Sequence, residues 1–252
     1  MPRTIRVIPS RSPAINMTRI LFTALIAGCI AGIFAFGVQA TKLAPLILQA
    51  EVYEDADNAK KAAAQEAMEK SMHMDHQQME EGAWEPANGL ERNAYRLLAD
   101  IGVGVGFALV LIGAFTLRGE KMNAQKGLLW GLAGFAVFAL APGFGLSPEL
   151  PATMAAALDE RQFWWIGCAL ATAIGIALAV YGRTPLKIAG VVLMVIPHVV
   201  GAPHPPLGGV VPTELNAEFA AASLVTAAVF WIMLGLMSGW LYGVKERTGH
   251  VA

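Results

Sequence analysis

Long apolar runs separated by short polar ones dominate the chain. Uninterrupted hydrophobic stretches occupy about 20–39, 98–117, 127–146, 163–181 and 219–243. A helix needs roughly 20 apolar residues to cross the hydrocarbon core of a bilayer, so each run is long enough to span it. A sixth run, about 186–202, is shorter and contains Pro197. The pattern predicts an all-α fold, a polytopic transmembrane helix bundle of about six spans. Proline removes a backbone donor and disfavours helical geometry in the residue before it. Pro142-Gly143-Phe144-Gly145 is therefore expected to break the third span, and Pro197-His198 with Gly201-Ala202-Pro203-His204 the fifth in chain order. Broken helices at membrane depth need protein or a water-filled cavity around them, and they often line transport sites. After the first span, residues 51–81 lack Gly and Pro and are rich in Ala, Glu, Lys, Gln and Met. This composition predicts a long helix continuing outward from that span.

Glycines recur at small-xxx-small spacing: Gly28/Gly32, Gly102/Gly106, Gly127/Gly131 and Gly235/Gly239. In lipid such pairs let helix backbones approach closely. The Gly102-x-Gly104-x-Gly106 run has the wrong spacing for a nucleotide loop and lies inside a span, so packing is its expected use. No Gly-x-x-x-x-Gly-Lys-Ser/Thr sequence is present, which excludes ATP hydrolysis through a P-loop.

Composition sharpens the class. Hydrophobic residues make up 56% of the 252 positions and charged residues only 15%, with a mean hydropathy of +0.52. A soluble domain carries roughly a quarter charged residues. The net charge of −1 gives no basic surface for nucleic acid. Cys29 and Cys168 both lie in apolar runs and read as small buried residues rather than a disulfide.

The charges that remain are segregated. With the N-terminus inside, one side holds Arg3, Arg6, Arg11 and Arg19, then Arg118, Lys121 and Lys126, then Arg183 and Lys187, then Lys245 and Arg247. Cytoplasmic loops accumulate Lys and Arg, so both termini are expected in the cytoplasm, with the chain multi-pass in the cell's inner (plasma) membrane. The chain then divides into a basic tail at 1–18, a membrane domain at 19–243 with an extracytoplasmic loop at 41–97, and a C-terminal tail at 244–252. Four arginines, an apolar run and Val38-Gln39-Ala40 also resemble a cleavable signal, and cleavage would leave five spans. The run is longer than a signal's apolar region, which favours an uncleaved anchor.

Of 19 acidic residues, only Glu120 and Glu246 fall on the basic side, whereas the 41–97 loop holds eleven. The opposite face is built to attract cations. Within the loop, Met72-His73-Met74-Asp75-His76 is the most specific local signal. On a helix, His73 and His76 share a face with Glu69 and Glu80. Two imidazoles with flanking carboxylates suit Co²⁺, Ni²⁺ or Zn²⁺, although a solvated polar helix would carry the same residues. Glu51 and Glu54 precede them. His198 and His204 flank the predicted break in the fifth span, where the plain alternatives are a packed and an exposed loop histidine. Asp100 is the one acid near membrane depth in an apolar run; such residues tend to be functional, and an ion pair with Arg96 is the alternative. Trp164 and Trp165 read as an interfacial aromatic belt.

Several blocks together resemble one family. These are Ala44-Pro45-Leu46-Ile47 with Ala50-Glu51-Val52-Tyr53-Glu54, Gly104-Val105-Gly106-Phe107-Ala108-Leu109, and Ala141-Pro142-Gly143-Phe144-Gly145-Leu146-Ser147-Pro148-Glu149-Leu150-Pro151. Arg161-Gln162-Phe163-Trp164-Trp165, Pro197-His198 with Gly201-Ala202-Pro203, and the Ala222-Ser223-Leu224 to Gly235 run continue the pattern. Over about residues 17–243 the chain resembles the CbtA-type cobalt transporter subunit. The resemblance implies cobalt uptake linked to cobalamin synthesis, and a small single-span, histidine-bearing CbtB-type partner. It also implies five spans, one fewer than the apolar runs number.

The resulting expectation is a non-enzymatic transporter subunit in the lipid bilayer that collects a divalent metal cation outside and passes it through the bundle. The metal is cargo, cobalt by resemblance with nickel or zinc as alternatives, and no cofactor is bound permanently. Its candidate ligands are His73, His76, Glu51, Glu54, His198, His204 and Asp100. The rival readings are a non-transporting metal receptor or assembly subunit, a carrier of another small solute, and a haem protein. The last would need paired histidines at membrane depth, where only His198 is close.

Overall fold

A computed structural model describes residues 17–72, 84, 86–206 and 208–248; His73, His76 and His250 lie outside them. The described chain is helical: α1 Met17–Lys42, α2 Ala44–Met72, α3 Leu90–Arg118, α4 Ala124–Phe135, a π-helical turn Ala136–Leu140, α5 Ala141–Gly143, α6 Leu158–Tyr181, α7 Thr184–Val200 and α8 Thr213–Thr248. Among the described residues, five helical stretches are long and apolar enough to cross a membrane: α1, α3, α4 through α5, α6 and α8. The sixth apolar run is α7, 17 residues long and paired with α6. The five long apolar helices and the six apolar runs differ only in this short helix.

α2 continues outward from α1 after one turn residue, Leu43, as the sequence predicts, and it starts at Ala44 rather than near residue 51. Pro45 explains the joint. It lacks the N–H that would meet the Thr41 carbonyl, so the ladder is interrupted there. The Thr41 hydroxyl bonds back to Val38 O at 3.0 Å, and Leu43 N still reaches Gln39 O at 2.9 Å.

Two glycine crossings hold α1, α3, α4 and α8 together. α1 meets α3 where Gly28 faces the backbone of Gly104 and Val105, and Gly32 faces Asp100 O and Ile101. α8 meets α4 where Gly235 and Gly239 sit on Gly127 and Gly131. A Cβ at any of these positions would run into main chain, which cannot rotate aside. On α3 the residue at the contact is Gly104; Gly102 and Gly106 face open space, contrary to the spacing argument. Between the crossings lies an aromatic layer. Phe138 stacks on Trp231 with ring centroids 5.6 Å apart, and Phe107 tilts against both. Gly134 leaves room for the Trp231 ring.

The two proline sites behave differently. Before Pro142 the helix widens into the π turn, and Ala141 N bonds Ala136 O. The missing Pro142 donor and its ring would otherwise collide with the Phe138 carbonyl. The helix then ends at Gly143, as predicted. Pro197, by contrast, does not break α7, which continues to Val200. Only the Leu193 carbonyl loses its helical donor, and the last turn closes where Gly201, at φ 88°, bonds Pro197 O at 3.1 Å. The break falls at Gly201 because glycine alone takes that backbone conformation without strain.

Chain direction alternates, giving the bundle two poles. At one, Arg19 Nη2 donates to Tyr242 O at 2.7 Å and its guanidinium lies 4.3 Å over the Tyr242 ring. Arg118 stacks over Tyr181 at 3.9 Å, and the end of α8 packs on the 119–123 connection through Gly243 and Met122. Glu120 there is hydrogen-bonded to Lys126 and ion-paired with Arg118, which together hold its carboxyl below the usual range. The α1 start, the α3–α4 and α6–α7 connections and the α8 end thus share one basic pole. At the other pole Leu43, Leu46 and Ala50 pack with Leu150, Val211, Leu215 and Phe219.

The crossings give opposite signs for one substitution. Gly104→Ala or Gly131→Ala should destabilise the detergent-solubilised chain by about 1–3 kcal/mol, because main chain must move. Gly102→Ala should be neutral or gain up to about 1 kcal/mol from helix propensity. Thermal unfolding midpoints read both, and equal shifts at the three positions would refute the packing account.

Candidate metal-handling pole

The non-basic pole carries the candidate residues in two groups. The first joins α1, α2 and α3. Gln39 Nε2 donates to Asp100 Oδ1 at 3.0 Å, and Asp100 Oδ2 is buried without a hydrogen-bond partner. Among the described residues no cation lies within ion-pair distance of Asp100, so Gln39 is its direct partner and the alternative, Arg96, acts only from farther off. Nearly two turns past the Pro45 joint, Arg92 grips Glu51 with both guanidinium ends, Nη2 to Oε1 at 2.5 Å and Nη1 to Oε2 at 3.3 Å. Arg92 Nη1 also donates to Asn88 Oδ1 at 3.0 Å. Two parallel N–H···O bonds make this the strong form of an ion pair. Glu51 thereby fastens α2 to α3, while half-buried Glu54 makes no hydrogen bond or ion pair among the described residues.

The second group gathers the end of α5, the start of α6 and the end of α7. Trp164 is its centre. The indole Nε1 donates to Pro197 O at 3.2 Å, and the ring lies against Gly145, where a Cβ would strike it. The two segments singled out by their prolines therefore meet through one tryptophan, which does more than sit at an interface. His198 stands beside it, edge-on to Trp164 at 5.9 Å and to Phe144 at 6.3 Å. Its Nε2 lies 3.9 Å from the Cys168 sulfur on α6. His204 is exposed on the connection between α7 and α8.

No three His, Cys, Asp or Glu side chains converge on one point among the described residues. Asp100 and Glu51 belong to one group and His198 to the other. Sequence reasoning passed over Cys168 as a small buried residue. Its pairing depends on the register of α6 against α7, set where Gly175 packs on Gly190, and neither run alone carries that signal.

Helices of this length and apolarity, with charge confined to the ends of the bundle, define a multi-pass membrane protein. The family model described as "Probable cobalt transporter subunit (CbtA)" matches residues 17–243, and the chain belongs to that family. Metal transport as one subunit of an assembly is the activity this family carries, with a metal ion as substrate and a further subunit as partner. No curated protein and no solved structure matches the chain.

Trp164→Phe keeps the ring and removes the N–H donated to Pro197 O. It should lower stability by about 1 kcal/mol, the usual worth of one such bond. Trp165→Phe, whose indole N–H makes no hydrogen bond among the described residues, should cost less. Unfolding midpoints in detergent decide between them, and a larger loss at Trp165 would show that the bond to Pro197 O contributes little.

Proposed function

We propose that the chain imports a divalent transition-metal cation, cobalt, into the cytoplasm as the multi-pass subunit of its transporter. The observation that carries this reading is the separation of charge between the two poles. Arg19, Arg118, Lys121, Lys126, Arg183 and Lys245 belong to one end, while Glu51, Glu54 and Asp100 belong to the other. The positive-inside rule puts the first end in the cytoplasm and both termini with it, in the inner (plasma) membrane. α1 packs through Ala24, Ala27, Ala31 and Ala35 into the bundle core, which suits a retained span rather than a removed leader.

On this reading His73 and His76 capture the ion on the outer face and raise its local concentration. Glu54, free of Arg92, and His204 then offer it a carboxylate and an imidazole at the mouth. Asp100 and His198 stand at membrane depth. Glu51 takes part only if the ion displaces Arg92. A divalent cation moving inward gains roughly 2.3 kcal/mol per charge per 100 mV of negative-inside potential, enough to drive uptake without ATP. No covalent chemistry is required, the metal is cargo rather than a resident cofactor, and the partner subunit is the small single-span CbtB type.

Cobalt accumulation in a transport-deficient cell tests this, with and without the chain and its partner subunit. Accumulation should depend on both. Replacing His73 and His76 together by Ala should raise the cobalt concentration needed while sparing the maximum. Reporters at Lys121, Arg183 and Lys245 should read cytoplasm, and those at Ala152 and Gly208 the exterior. Cobalt held at the cell surface without accumulation would make the chain a receptor instead, and a cytoplasmic signal at Ala152 would reverse the sidedness.

A further inference from the structure

Two potential metal ligands face each other across the α6–α7 hairpin with a gap between them. Cys168 Sγ and His198 Nε2 are 3.9 Å apart. That is long for a thiol–imidazole hydrogen bond, and it is the span of two ligands sharing one ion. A metal sits about 2.3 Å from a thiolate sulfur and about 2.0 Å from an imidazole nitrogen. Those bonds reach across 3.9 Å with the ion slightly off the line joining the two atoms. We propose that Cys168 and His198 form a thiolate–imidazole site for the transported transition-metal ion, inside the membrane span of α6. This deepens the transport reading above and rests on it.

The surroundings fit a site better than a plain contact. Thr172, one turn along α6 from Cys168 and only 3% exposed, sets its buried hydroxyl beside the Cys168 thiol as a hydrogen-bond partner. A hydroxyl beside the sulfur donates to the thiolate that a metal would bind, a stronger bond than one to the neutral thiol. Pro197 leaves the Leu193 carbonyl of the same α7 segment without its helical donor. The imidazole is held in place by Trp164 and Phe144, and Trp164 in turn fixes the end of α7 through Pro197 O.

Cys168 is wholly buried, whereas His198 is exposed at the rim. The sphere is thus closed on the sulfur side and open beyond the imidazole, where water or a neighbouring subunit completes it. An open position suits exchange, since a structural site uses all its ligands from the protein. Binding replaces the thiol proton: the metal–sulfur bond forms, the S–H bond breaks heterolytically and one proton leaves to water, while neutral His198 donates its Nε2 lone pair. No electron is transferred. Sulfur and imidazole nitrogen select Co²⁺, Ni²⁺ and Zn²⁺ over Mg²⁺ and Ca²⁺.

The test uses the full chain in detergent, titrated with cobalt chloride. A thiolate-to-cobalt charge-transfer band should appear in the near ultraviolet, with release of a proton, and should survive excess magnesium. It should be lost in Cys168→Ser and kept in Cys29→Ser. His198→Gln should shift the visible d–d bands and weaken cobalt binding about tenfold or more, an effect of the size seen when metal-site geometry is disturbed. The wild-type spectrum and the exposed His198 position keep the test valid if Cys168→Ser does not fold. The absence of a charge-transfer band from cobalt-loaded wild-type protein overturns the site, as does its persistence in Cys168→Ser or unchanged d–d bands in His198→Gln. Failure of wild-type cells to accumulate cobalt would instead count against the transport reading, with the spectrum still deciding the site.

Discussion

Lipid gives two apolar helices little reason to associate, because a leucine gains nothing by exchanging acyl chains for another leucine. What holds this bundle is the close approach of backbones that only glycine and alanine permit. α1 illustrates the consequence. Its core-facing residues are Thr23, Ala24, Ala27, Gly28, Ala31, Gly32 and Ala35, all small, while its large side chains Leu21, Phe22, Leu25 and Phe34 point outward. A soluble helix would be arranged the other way round. The same inversion at Gly127, Gly131, Gly235 and Gly239 fixes α4 on α8. These two crossings set the registers of α1, α3, α4 and α8, Gly175 on Gly190 sets that of α6 against α7, and the contacts among the polar residues follow from them.

Much of this architecture is legible in the chain because the bilayer imposes a strict length and hydropathy rule. The apolar runs mark the spans, and Pro142 marks where one ends. The finer errors share a cause: local rules speak for one helix, whereas the contacts belong to two. Gly102, Gly104 and Gly106 point in successive directions around α3, and only the partner decides that Gly104 is the one in the crossing. Pro197 would end an isolated helix. Here the loss is confined to one carbonyl, and Trp164 and Gly201 both donate to Pro197 O, so the last turn survives.

The candidate site follows the same division. The residue types of the candidate groups were readable, since the acids and histidines away from the basic pole stand out along the chain. Their partners were not. Glu51 looked like a free carboxylate until Arg92, 41 positions away, closed on it. Cys168 looked inert until α7 brought His198 beside it, 30 positions on. Arg96 is i−4 to Asp100 and was the obvious local partner, but the hydrogen bond comes from Gln39 on α1, because the α1–α3 crossing places that side chain nearer.

Selectivity for cobalt cannot come from ligand affinity alone. Along the first transition row, a given set of sulfur, nitrogen and oxygen ligands binds Ni²⁺ and Cu²⁺ more tightly than Co²⁺. A deep, fully enclosed site would therefore favour the wrong ions and release them slowly. The arrangement here is the reverse. The candidate ligands are few and divided between two groups, Glu51 is already occupied by Arg92, and His198 lies on an exposed edge. On the proposed transport reading such a path would discriminate by exchange rather than by strength of holding: an ion that must be passed on is disfavoured if it binds too well at any stage. On the proposed site, discrimination against copper and nickel would fall on the geometry imposed when a neighbouring subunit closes the open side of His198, as befits a chain of a transporter-subunit family.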